Sequence, residues 1–180
     1  MPNEKYCENR LICIFVSVLS YRRMHGCPPL SYDPALAHSA QKYAEHLVRI
    51  KRMVHSSAKD YGENLAWRYS SGVVDMTGEE ATKMWYDEIE IYRFSSPKFS
   101  KATDSSLSLL CRVTELHTRN MISSGHFTQV VWKNTTHAGF GIAFSPDGHD
   151  VYVVGQYKPP GNWEGEFEQN VPRPVNAYPS

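Results

Sequence analysis

At 180 residues, with 19 basic and 19 acidic side chains, the chain has the length of one domain and a formal net charge of zero. A domain of this size buries roughly two-thirds of its unfolded surface. No basic excess supports a nucleic-acid partner, and no long single-sign block supports a charged interaction tail.

The first informative stretch is the nine-residue apolar run Leu11 to Leu19, broken only by Ser17. It is too short for a bilayer span, which needs ~20 residues. One reading is a signal-peptide core, with Lys5 and Arg10 ahead of it and Val18-Leu19-Ser20 as a cleavage site, although Glu4 and Glu8 dilute the positive end. The other is a helix from Asn9 to His25 that ends at Gly26 and is stopped by Cys27-Pro28-Pro29. Pro2 replaces the glycine that N-myristoylation requires. The four cysteines, Cys7, Cys13, Cys27 and Cys111, make no C-x-x-C pair and no metal-knuckle spacing.

A helix is predicted after Asp33, a capping residue followed by proline at the first helical position. Leu36, Ala40, Tyr43, Leu47 and Ile50 form its buried face, and His38, Lys42, Glu45 and Arg49 its wet face. His38 and His46 read as surface residues. His55 follows just beyond this helix, and Glu63 then stands in Tyr61-Gly62-Glu63-Asn64-Leu65-Ala66-Trp67.

Thr77 and Glu80 form a capping box opening a helix expected to run through Tyr92. Its apolar stripe is Ala81, Trp85, Glu88, Tyr92, so a carboxylate occupies a buried position. Such a group must find partners or take up a proton, which marks Glu88 as a site candidate. Residues 101–121 form a Ser-, Thr- and Leu-rich stretch, with a weak helical pattern from Asp104 to Leu116.

Gly125-His126-Phe127-Thr128-Gln129-Val130-Val131-Trp132 is the densest block of unusual residue types. As a strand it would align His126, Thr128, Val130 and Trp132 on one face. As a short helix it would bury Phe127, Val130 and Val131. Pattern alone leaves both open. His137 to Phe144 then alternates small and bulky residues, Ser145-Pro146-Asp147-Gly148 makes a turn, and Val151 to Tyr157 returns as a strand. A proline-rich tail closes the chain.

The block from Gly125 to Thr135 resembles the first signature of the CAP superfamily (cysteine-rich secretory proteins, antigen 5, pathogenesis-related 1). Tyr152-Val153-Val154-Gly155-Gln156-Tyr157-Lys158-Pro159-Pro160-Gly161-Asn162-Trp163 resembles the second. Between Tyr21 and Pro172 the motif order is that of a CAP domain, most similar to the Golgi-associated pathogenesis-related branch. The resemblance implies an α+β fold, a three-layer α–β–α sandwich around a mostly antiparallel sheet. It divides the chain into an atypical segment 1–20, the domain 21–172 with an insert at about 101–121, and a flexible tail 173–180. The motifs match on both sides of the insert, so the core is expected to survive without it.

Two departures stand out. Val18 and Leu19 replace the His and Asn of the family's first-helix motif, of which only Tyr21 and Arg22 remain. Gly155 replaces a cysteine usual in secreted members, which argues against their disulfide framework and for a reducing compartment. A cytoplasmic, peripheral Golgi-membrane location is therefore favoured over secretion.

The resemblance also places His55, Glu63, Glu88 and His126 in one cleft, with Asn64, Gln129 and Tyr157 in support. It lets His55 and His126 hold a divalent metal such as zinc. The implied function is a non-catalytic module for lipid, sterol or protein partners at membrane surfaces, able to self-associate as a homodimer. The alternative is a metal-dependent hydrolase using Glu63 or Glu88 as base. No G-x-S-x-G nucleophile motif occurs.

Overall fold

The computed structural model describes residues 9–98 and 124–175. The insert at 101–121 with its helical pattern, Cys7, Cys111 and the tail beyond Val175 lie outside the described residues.

Helix α1 (Arg10–Met24) begins at Asn9, whose side chain accepts from the Leu11 N–H. Its end is a Schellman turn: Cys27 N donates to Arg22 O, Gly26 N donates to Arg23 O, and Gly26 takes a left-handed φ of +64°. The apolar run of the sequence is thus the body of this helix, with Cys13, Ile14, Ser17 and Val18 turned inward. Val18 fills core space at the family's variant position. Cys13 is disulfide-bonded and Cys27 is a buried free thiol.

Strand β1 (Ser31–Tyr32) leads into helix α2 (Pro34–Ile50). Asp33 caps it by accepting from the Ala35 and Leu36 N–H groups. Leu36, Ala37, Ala40, Ala44 and Leu47 are its buried residues, while Tyr43 and Ile50 lie only half-buried. The small alanines replace them because α2 lies very close to the sheet. Strand β2 (Gly62–Tyr69) follows, then helix α3 (Gly78–Tyr86), opened by the Thr77–Glu80 capping box.

The helix expected through Tyr92 ends earlier, at Tyr86, and continues as a 3-10 turn over Asp87–Ile91. Tightening of a last helical turn into 3-10 geometry is common. Glu88 remains buried, as the stripe predicted.

Helix α4 (Gly125–Val130) resolves the signature block as helix rather than strand. Strands β3 (His137–Phe144) and β4 (Asp150–Lys158) form the expected hairpin, and a short helix α5 (Phe167–Asn170) follows. The sheet order is β1-β3-β4-β2, with β1 parallel to β3 and the other pairs antiparallel.

Side-chain alternation divides two cores across this sheet. Leu65, Tyr152, Val154 and Ala143 pack against Ala40, Ala44 and Leu47 of α2. Ala66, Val151, Val153 and Phe140 pack on the other side with Ile14 and Val18 of α1, Trp85 of α3, and Phe127 and Val130 of α4. The architecture is an α–β–α sandwich. On β3, a Cβ at Gly139 would overlap the Ala37 backbone and one at Gly141 the Gln41 backbone. The small residues of the alternation therefore let α2 rest on bare main chain. Gln41 also reaches the strand itself: its Nε2 donates to Ile142 O and its Oε1 accepts from Ile142 N, both at 3.0 Å. A side-chain amide thus takes the place of a neighbouring strand at that point of β3.

Candidate functional site

Edge strand β2 is where the two layers meet. Glu63 shares its face with Leu65, toward α2, whereas Asn64 shares the face of Ala66, toward α4. The loop after α2 brings His55 back to Glu63: Nδ1 donates to Oε1 at 3.0 Å, and the Ser56 N–H donates to the same oxygen at 2.9 Å. Gln156 on β4, the register partner of Glu63, adds a longer contact of 3.4 Å from its Nε2 to Oε2. Burial raises the Glu63 pKa, but the hydrogen bonds from His55 and Ser56 outweigh it and hold the carboxyl below its usual range.

On the other side, Glu88 receives three donors. His126 Nδ1 reaches Oε1 at 2.7 Å; the backbone N–H groups of His126 and Phe127 reach Oε2 at 2.8 and 3.2 Å. These are first-turn amides of α4, which have no partner within the helix. One carboxylate therefore caps the helix and orients the ring that the helix carries. Burial opposes charge on His126, but the Glu88 charge and hydrogen bond outweigh it, and the ring's pKa stands above the ordinary histidine value.

The two imidazoles face each other with centroids 6.2 Å apart and planes tilted by 39°. Each gives Nδ1–H to a carboxylate, the assignment that satisfies both atoms, so in its neutral form each keeps an Nε2 lone pair. His55 is half exposed at its side chain and His126 is 15% exposed, so the pair opens outward from a firm base.

The sequence-predicted tetrad is thus brought together as two His–Glu pairs. Asn64 supports it directly: Nδ2 donates to His126 O at 3.1 Å and contacts the Tyr157 hydroxyl at 3.4 Å. Gln129 does not reach the tetrad; it accepts from Gly161 N and donates to Thr135 Oγ1, bracing the back of α4. His38 is exposed and His46 stacks on Tyr43. Sequence reasoning missed Arg22 and Asn162. Arg22, fully buried, donates to the carbonyls of Pro28, Val130, Trp132 and Thr135 and so anchors the C-terminal end of α4. A left-over Tyr-Arg pair was the only signal for it.

Residues 18–157 match the model of the CAP family, described as the cysteine-rich secretory protein family. The chain belongs to the CAP family. It is 39% identical to the human Golgi-associated plant pathogenesis-related protein 1 over 156 residues, covering 84% of each chain. It is 36% identical to pathogenesis-related protein 1A of Nicotiana tabacum over 143 residues, or 78% of this chain and 70% of that one. Among solved structures, that of NaASP2 with Zn2+ superposes with a TM-score of 0.61 at 22% identity, covering 90% of this chain and 85% of the other. At that identity the likeness speaks for the fold.

A metal would find two nitrogen ligands here, since among the described residues no group of three or more His, Cys, Asp or Glu side chains is placed to hold an ion. The donor chemistry fits. A ligating imidazole characteristically gives its other N–H to a carboxylate, as both rings do. With Zn–N bonds of ~2.0–2.1 Å, a ring centroid lies ~3.2 Å from the ion. Two rings sharing it are then ~5.2 Å apart at a tetrahedral angle and ~6.4 Å when opposed. The observed 6.2 Å lies near the opposed limit, so the rings would have to close by about 1 Å to share an ion at the tetrahedral angle.

Proposed function

We propose that this CAP-domain protein is a non-catalytic binding module whose His55–His126 pair takes a divalent metal, zinc above all, and with it lipid, sterol or protein partners. The observation that carries the metal reading is the pair itself. Two imidazoles from distant parts of the chain are each tied through Nδ1 to a buried carboxylate, with ring centroids 6.2 Å apart. When bound, zinc would polarise or anchor a donor atom at its open positions. Glu63 and Glu88 fix ring orientation, and Asn64 holds the main chain of His126.

Ile12, Val16 and Tyr32 leave apolar surface exposed, which supports contact with a membrane surface or a second copy of the chain. No described helix is long and apolar enough to cross a membrane. By similarity to the human relative named for its Golgi association, the membrane concerned is that of the Golgi.

Titration calorimetry with zinc on the wild type, His55→Ala, His126→Ala and the His38→Ala/His46→Ala pair tests this. Binding should survive in the surface pair and be lost in each cleft variant. Undiminished binding in the cleft variants would remove the metal from the site.

A further inference from the structure

Helix α4 spans six residues, a length at which a helix does not hold its own shape in water. Glu88 secures the N–H side of its first turn. A second side chain grips the opposite side. Asn162, in a left-handed conformation with φ +66°, donates from Nδ2 to Gly125 O at 2.8 Å and accepts at Oδ1 from the Thr128 hydroxyl at 2.6 Å. Asparagine tolerates that backbone region better than other side-chain-bearing residues. Exchanging the amide's N and O would set Oδ1 against Gly125 O, so the network also fixes its orientation.

The segment that presents Asn162 has no slack. Gly161 N donates to Gln129 Oε1 at 2.8 Å, and a Cβ at Gly161 would lie 2.7 Å from the Trp132 ring and 3.0 Å from Gln129 Nε2. Gly125 and Thr128 bracket His126 in sequence, and Thr128 is wholly buried. The ring of His126 therefore leaves a turn held from two sides, by Glu88 on the amides and by Asn162 on a carbonyl and a hydroxyl.

We propose that Asn162 is a positioning residue for His126: it touches no ligand, and it locks the turn from which the imidazole projects. Its metal readout rests on the two-histidine reading above, while its readout in the metal-free protein does not.

Three variants of the full chain test this. Asn162→Gly keeps the left-handed backbone and removes both bonds. Asn162→Asp keeps the acceptor for Thr128 and loses the donor to Gly125, so it reports even where the glycine variant folds poorly. Asn170→Ala is the control, because Asn170 bonds Asn134 N and Glu166 O, beyond the other end of α4. The first measurement is amide hydrogen exchange of the metal-free proteins. Asn162→Gly should speed exchange at His126 and Phe127 about tenfold over the rest of the domain, and Asn162→Asp at least as much because it sets a carboxylate oxygen against Gly125 O, since a local opening is released. The second is zinc affinity by calorimetry well below each melting temperature, expected to fall about tenfold in Asn162→Gly, as for loss of an outer-shell partner. Asn170→Ala should lower the melting temperature and change neither readout. Wild-type exchange at His126 and Phe127 in Asn162→Gly, or acceleration spread evenly through the domain, would overturn the proposal. If wild-type zinc binding proves absent, the two-histidine reading fails alone, and the exchange data still decide the role of Asn162.

Discussion

Replacing Glu88 by glutamine exchanges one oxygen for an NH2 group and tests the site in a way that burial alone would not predict. Three donors now point at this carboxylate: His126 Nδ1 on Oε1, and the His126 and Phe127 N–H groups on Oε2. The amide must choose. Turning its NH2 toward the helix would face two buried donors with another, at about 1–3 kcal/mol for each unsatisfied group. Turning its oxygen toward the helix keeps the cap and aims NH2 at Nδ1. The second arrangement wins, and it requires the neutral ring to move its proton from Nδ1 to Nε2. Stability then falls only by the charge-assisted part of the bonds, about 1.5–3 kcal/mol. A metal that needs the Nε2 lone pair must force the proton back to Nδ1, against the glutamine NH2. That costs about another 1–3 kcal/mol, or roughly 5–150-fold in affinity. Calorimetry with zinc, thermal unfolding and 15N shifts of the His126 ring measure the three effects separately. A Glu88→Gln protein with the wild-type tautomer and undiminished zinc affinity would refute the reasoning.

The same pair sets a pH dependence of stability in the metal-free protein. The pKa of His126 is raised on folding, so its stabilisation is full below the unfolded value of ~6.5 and is lost as pH rises through the folded one. The stability gap between wild type and Glu88→Gln, from urea unfolding, should be wider at pH 6 than at pH 8; an equal gap would disprove the assignment. Arg22→Met should cost about 3 kcal/mol or more by denaturant unfolding, because three buried hydrogen bonds to carbonyls and a part-buried one are lost. Gly139→Ala should destabilise by about 1–3 kcal/mol, since its Cβ meets the α2 main chain; a neutral result would show that α2 can shift. Gln41→Ala should cost about 1–2 kcal/mol and increase self-association by light scattering, as the Ile142 peptide groups lose their cover.

What could be read from the sequence was mostly local. Asp33-Pro34 and the Thr77–Glu80 box announced helix starts because caps act over three residues, and Pro146 and Gly148 announced the hairpin turn in the same way. Glu88 was visible as an acid in an apolar stripe. Its role as a cap for α4 was not, because the amides it satisfies belong to residues 38 and 39 positions away. The helix-or-strand ambiguity of Gly125–Val130 has the same origin: six residues carry too little periodicity, and the deciding contacts come from Glu88, Asn162 and Arg22. Strand β2 went unread because Glu63 and Asn64 break its apolar pattern, each facing a different layer of the sandwich. Grouping His55 with His126 rested on the family resemblance, since no spacing rule joins residues so far apart.

That division at β2 has a mechanical consequence. His55 and Glu63 belong to the layer of α2, and His126 and Glu88 to the layer of α3 and α4; only the width of one edge strand separates them. A ligand held by both rings would act as a rivet through the rim of the sandwich. Its occupancy would be felt as resistance to shear between the outer layers, and any change in sheet twist would open or close the bite between the rings.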